Sequence, residues 1–269
     1  MNDTSPPLSV WICSILIVII FFGMVSFAVQ KKEAYLFHKK LGKIDANKIN
    51  VIAIGTSLTR YALYPDKVMN SLAKSKGINN LNFIKFSYSG RTLYHFNALF
   101  KQMCCHRPDI VFLDTSLVFY RPKSILKARI RDIKYFLRTL VSMPTKPLNR
   151  RKQRKTLEDW QKNLQYFHLR KKLSPSLETF LEYAKKHHIL VFLLDFTRAQ
   201  EAQKYFPEKF ILHEKKLIKY YQDKYNIQTI TFSPQLPASY YYDYAHANPK
   251  GQEIISNFFI DQIKQFIKQ

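Results

Sequence analysis

Ser57, Asp243 and His246 are the residue types that acyl transfer through a serine requires. Ser57 stands in Gly55-Thr56-Ser57, directly after an apolar run rich in β-branched residues. A serine hydroxyl is a weak nucleophile until a base within hydrogen-bond reach takes its proton, and that base needs a partner to fix its tautomer. Asp243 and His246, three residues apart, can offer the acid and the base from one turn. The negative charge that develops on an attacked carbonyl oxygen needs N–H donors, which the backbone at Ser57 and at Gly90 can supply. Glycine suits such a place because it permits close backbone approach. Each piece alone has a plainer explanation, as a helix cap, a surface turn or a turn glycine. Their order says more: serine after the first strand, glycine after the second, Asp-x-x-His before the last helix.

The elements that must position these residues are legible from apolar periodicity. Residues 50–54 read as a buried strand, and a helix follows to about residue 74. Residues 80–86 read as a second strand, ending in Ser87-Tyr88-Ser89-Gly90, with a helix over about 92–105. A third strand covers 110–113 and ends in Asp114-Thr115-Ser116. A helix over 174–186, a strand over 189–194 ending at Asp195, a helix over 208–224 and a strand over 227–232 follow. The last helix covers about 252–267. Strands alternating with helices predict an α/β sandwich around a mostly parallel sheet of about five strands. Ligand sites of such sheets form at the carboxyl ends of the strands, where all the candidate residues fall.

The blocks Gly55-Thr56-Ser57, Gly90 and Asp243-Tyr244-Ala245-His246, the last continued by Asn248-Pro249-Lys250-Gly251-Gln252, resemble those of the SGNH (GDSL-like) hydrolase superfamily. The resemblance spans residue 50 to the C-terminus. It implies a three-layer, SGNH/flavodoxin-like fold with Ser57 as nucleophile, His246 as general base and Asp243 as its orienting acid. Ser57 and Gly90 would form the oxyanion site, and neither a cofactor nor a metal would be needed. One block departs from the pattern. The family places Gly-x-Asn-Asp after the third strand, its asparagine donating to the oxyanion, whereas this chain has Asp114-Thr115-Ser116-Leu117-Val118. Losing one such donor costs about 2.7–4 kcal/mol in an enzyme built around it. Thr115 or Ser116 is the candidate substitute. Asp114 and Asp195 remain as carboxylates near the same edge, most simply as strand-end caps.

Charge and hydropathy divide the chain further. It has 269 residues, enough for one domain with attachments, and a formal net charge of +24 that predicts attraction to polyanions. Its three cysteines, Cys13, Cys104 and Cys105, imply no disulfide framework. Residues 5–29 carry no charge and 10–29 are almost wholly apolar, long enough for one membrane-spanning helix. The expected organisation is a tail and transmembrane helix over 1–30, a charged, helical juxtamembrane connector over 31–48, and an α/β domain over 49–269. That domain carries a basic helical insertion at about 120–173. Residues 121–172 hold 17 lysines and arginines against Asp132, Glu158 and Asp159. This charge fits a solvated face, or contact with membrane lipid or an acidic glycan. No nucleic-acid-binding signature accompanies it, so no specific nucleic-acid partner is expected.

Two questions stay open at the level of sequence. Lys31, Lys32, Lys39, Lys40 and Lys43 follow the apolar span and only Asp3 precedes it, so the positive-inside rule would place the domain in the cytoplasm. The family resemblance implies the extracytoplasmic side. That resemblance also implies an anchored esterase or O-acyltransferase acting on an acyl group, acetyl above all, of an envelope glycan or lipid-linked substrate, with a membrane acyl-transfer partner possible. The alternative is a non-catalytic scaffold of the same fold that docks on anionic lipid or glycan.

Overall fold

The computed structural model describes residues 7–88, 92–121, 156–158, 161, 168–170, 172–196, 198–232 and 235–267. Five strands form one sheet: β1 (Ile49–Gly55), β2 (Leu81–Ser87), β3 (Ile110–Asp114), β4 (Leu190–Asp195) and β5 (Gln228–Thr231). Their order is β2-β1-β3-β4-β5 and every pairing is parallel. This is the doubly wound order in which the chain reverses direction between β1 and β3, leaving a crevice at their carboxyl ends. The observed strands lie within a residue or two of the expected ones.

The three central strands, β1, β3 and β4, read as nearly continuous apolar runs because helices cover both faces. Ile52, Ile54, Ile84, Phe86, Val111 and Leu113 point to one side, into a core shared with α4 (Asn97–His106), α6 (Pro175–Lys186) and α8 (Glu208–Tyr225). Val51, Ala53, Phe83, Ile110 and Phe112 point to the other, towards α3 (Asp66–Ser75) and α9 (Pro249–Ile267). Short helices α2 (Ser57–Ala62), α5 (Thr115–Phe119) and α7 (Gln200–Gln203) sit at the carboxyl edge. The helix expected over 92–105 opens as a 3₁₀ turn, Leu93–Phe96, before α4 begins.

The N-terminal helix α1 runs without interruption from Leu8 to Leu41. Its first part is long and apolar enough to cross a membrane, and side chains such as Trp11, Ile15, Ile19 and Phe27 are exposed. Its last part belongs to the domain: Phe37 and Leu41, four residues apart on one face, are buried in the core against Phe86, Phe96 and their neighbours. The first eleven residues of the expected connector thus continue the same helix and complete the core. Most of the expected basic insertion lies outside the described residues. Its two ends, Tyr120–Arg121 and His168–Leu169, pair as a two-stranded antiparallel ribbon.

Candidate active site

The β1 strand delivers Thr56 and Ser57 to the carboxyl edge, and the turn they make is held by Asp114 at the end of neighbouring β3. The buried Asp114 carboxylate accepts through Oδ2 the Thr56 N–H at 3.1 Å, the Thr56 hydroxyl at 2.9 Å and the Thr59 hydroxyl at 2.9 Å. Its Oδ1 accepts the Ser116 N–H at 2.8 Å and the Ser116 hydroxyl at 2.6 Å. Thr56 Oγ1 in turn accepts the Leu58 N–H at 3.2 Å, capping α2. Gly55 is required by this packing rather than by its dihedrals. A Cβ there would overlap the Thr59 side chain and stand 2.7 Å from Asp114 Cβ.

Ser57 then meets the turn that precedes α9. His246 Nε2 lies 2.7 Å from Ser57 Oγ, and His246 Nδ1 lies 2.8 and 2.9 Å from the two oxygens of Asp243. An ionised carboxylate can only accept, so the proton belongs on Nδ1 and Nε2 is left to accept from the serine. The 243–246 turn is fixed from several directions. Asp243 Oδ1 also accepts the His246 N–H at 3.0 Å, Tyr242 N–H donates to the His246 carbonyl at 2.7 Å, and Ala199 N–H donates to the Tyr244 carbonyl at 2.8 Å. Tyr244 pays for the tight geometry with a left-handed φ of 64°. Asn248 closes the segment, its side chain accepting the Lys250 and Gly251 N–H groups at the start of α9. The Tyr61 ring packs edge-on against the imidazole, with centroids 5.1 Å apart.

Burial pushes the Asp243 carboxyl upwards, but the hydrogen bonds and charge of His246 outweigh it and hold the group below the ordinary carboxylate range. An ionised acid beside Nδ1 favours the imidazolium that forms when Nε2 takes a proton. The assembly can therefore draw the proton from Ser57 Oγ and store it.

The oxyanion side is partly described. The Ser57 N–H has no hydrogen-bond partner among the described residues, so it is free to donate to a ligand. Gly90 lies outside the described residues. The two hydroxyls expected as substitutes for the missing asparagine are both engaged by carboxylates: Ser116 donates to Asp114, and Thr115 Oγ1 donates to Asp195 at 3.3 Å. Among the described residues no cluster of His, Cys, Asp or Glu is arranged to hold a metal ion.

Sequence reading missed a buried ionic cluster one strand further along the edge. Arg198, only 8% exposed, stacks over the Phe206 ring at 4.6 Å, and its guanidinium lies 3.4 Å from the Tyr120 hydroxyl. Asp195 and Glu214 face it. Burial raises the Asp195 carboxyl despite Arg198, and burial together with Asp195 pushes Glu214 up to about 7. Its members come from three stretches, at Tyr120, at Asp195 and Arg198, and at Glu214, and no spacing in the sequence announces it. Ala199, next to Arg198, donates its N–H to the Tyr244 carbonyl, so the cluster stands beside one support of the 243–246 turn.

No protein-family model matches the chain, and no curated protein matches it. Solved structures do. A psychrotrophic esterase from Pseudoalteromonas sp. is 16% identical with a TM-score of 0.43, over 82% of this chain and 100% of that one. A lipase/acylhydrolase from Enterococcus faecalis is 15% identical with a TM-score of 0.42, over 80% and 96%. An acetylxylan esterase from Geobacillus stearothermophilus is 13% identical with a TM-score of 0.43, over 82% and 96%. At such identities and TM-scores the reading of this site rests on its own geometry.

Proposed function

We propose that this chain is a membrane-anchored serine esterase or O-acyltransferase of the SGNH (GDSL-like) type. Its substrate would be an acyl ester, acetyl above all, of a cell-envelope glycan or a lipid-linked molecule. The observation that carries the reading is the continuous hydrogen-bonded line from Ser57 through His246 to Asp243, with contacts of 2.7 and 2.8 Å. Ser57 Oγ bonds to the ester carbonyl carbon as its proton passes to His246 Nε2. The tetrahedral intermediate then collapses, the carbon–oxygen bond to the alcohol breaks, and the alcohol leaves with that proton. Water, or the hydroxyl of a sugar, repeats the sequence on the acyl-enzyme with His246 again as base. The Ser57 N–H, together with the backbone at Gly90, would stabilise the oxyanion. The basic insertion would meet anionic lipid or an acidic glycan, and a membrane protein would supply the acyl group if the enzyme transfers it.

The test is hydrolysis of a chromogenic acetyl ester by the full chain in detergent, beside Ser57→Ala and His246→Ala. The reading requires both variants to fall to the background rate while remaining folded. Equal rates for wild type and Ser57→Ala would remove it, leaving a scaffold that docks on lipid or glycan.

A further inference from the structure

The path of α1 across the domain fixes which end of the sheet faces the membrane. Just past the helix, the Lys43 carbonyl accepts from the Asn82 side chain at the amino end of β2. One turn earlier Lys40 forms an ion pair with Asp66 at 3.1 Å and reaches the Lys85 carbonyl. Phe37 packs against Phe86 and Tyr88 at the carboxyl end of the same strand, with ring centroids 5.7 and 6.1 Å apart. Gln30 bonds the hydroxyl of Tyr94, beyond that end, at 2.7 Å. Contacts with α4 run the same way, Ala34 with Gln102 and His38 with His106. The chain direction of α1 is therefore antiparallel to the strands, and, followed towards its N-terminus, the helix climbs with them and leaves the domain past the carboxyl edge of the sheet.

That edge holds the candidate active site. Tyr88, which touches Phe37, donates its N–H to the Gly55 carbonyl at 3.3 Å, two residues before Ser57. From Phe37 to Val29, the last apolar residue before Gln30-Lys31-Lys32, is eight residues, or about 12 Å of helix. The headgroup layer on each side of a bilayer is about 5–7 Å deep. Lys31, Lys32 and the half-exposed Tyr94 stand at the level where lysines and tyrosines favour the interface.

We infer that the catalytic edge faces the bilayer in which α1 is embedded, with Ser57 just beneath the headgroup layer, and that the ester it attacks is carried on the headgroup of a membrane lipid. This holds for either sidedness of the domain, and it rests on reading α1 as an anchor and Ser57 as a nucleophile. A helix that is continuous through the interface and packed into the core sets both height and orientation, which a flexible linker would not. The amino edge, bearing the exposed Asn47, points away from the membrane.

The experiment uses the full chain in lipid vesicles, with Cys13, Cys104 and Cys105 replaced by serine and a fluorophore placed at Tyr94→Cys or Asn47→Cys. Headgroup-nitroxide lipids should quench the label at 94 several-fold more than the label at 47. Equal quenching, or stronger quenching at 47, overturns the inference alone. Release of the chain by alkaline carbonate overturns the anchor as well. A second arm compares a fluorogenic acetyl ester tethered to a lipid headgroup with the same ester free in solution. Inserting a Gly/Ser linker of about ten residues between Gln30 and Lys31 frees the domain's orientation. It should lower turnover of the tethered ester several-fold and leave the free ester unchanged. Equal loss or no loss on both esters contradicts the lipid-borne substrate. Absence of turnover in the parent chain on either ester contradicts the esterase reading, while the quenching result still decides orientation.

Discussion

Asp114 Oδ2 accepts both the N–H and the hydroxyl of Thr56, so the residue beside Ser57 is held by a carboxylate from the neighbouring strand. Five hydrogen bonds converge on this buried group. Asp114→Asn replaces an acceptor oxygen with a donor that faces donors. The variant should lose about 1–3 kcal/mol of stability, the usual cost of leaving buried hydrogen-bond donors without their acceptor. Urea unfolding checks the loss, and an unchanged midpoint would show that the turn holds itself.

The core role of α1 predicts different fates for two truncations. A chain beginning at Lys31 keeps Phe37 and Leu41, whereas one beginning at Lys48 loses both. Each buried side chain contributes about 1.5–3 kcal/mol. The shorter fragment should therefore be less stable by several kcal/mol in thermal or urea unfolding, and Phe37→Ala in the longer one should reproduce part of the loss.

Much of the fold and the three central side chains were legible because their signals are local. A buried parallel strand announces itself as an apolar run, and Gly-Thr-Ser or Asp-x-x-His can be seen within one turn. Asp114 was visible only as a strand-end carboxylate, since its partners Thr56 and Thr59 lie on another strand's loop. Residues 31–41 read as a charged connector because Lys31, Lys32, Lys39 and Lys40 dominate the composition, while burial depends on just Phe37 and Leu41. The Arg198 cluster joins positions that only the sheet brings together. The occupied hydroxyls of Thr115 and Ser116 likewise depend on Asp195 and Asp114 facing them.

Asp243 gives a pH signature. Its carboxyl is held below its ordinary value in the folded chain. It therefore contributes stability that is complete above the unfolded value of about 4 and is lost as pH falls through the folded one. In Asp243→Asn that contribution vanishes, so the stability gap to wild type should narrow as the pH is lowered below about 4. At neutral pH the same variant should lose about 10⁴-fold in kcat while keeping its fold.

Glu214 works in the opposite sense. Its carboxyl is raised to about 7 in the fold, so the folded chain binds more protons than the unfolded one between the ordinary value and 7. Stability from this group declines as pH rises across that window and levels off above it. Glu214→Gln should flatten the decline, measured as the unfolding midpoint against pH. An identical slope in both proteins would place the titration elsewhere.

The central claim is that Ser57 is an activated nucleophile. Treatment of the full chain with a fluorophosphonate, followed by mass spectrometry of its peptides, tests it without knowledge of the substrate. A single phosphonyl adduct on Ser57, abolished in Ser57→Ala and strongly slowed in His246→Ala, is the predicted result. Failure of Ser57 to label in the folded protein, or equal labelling in His246→Ala, would contradict it.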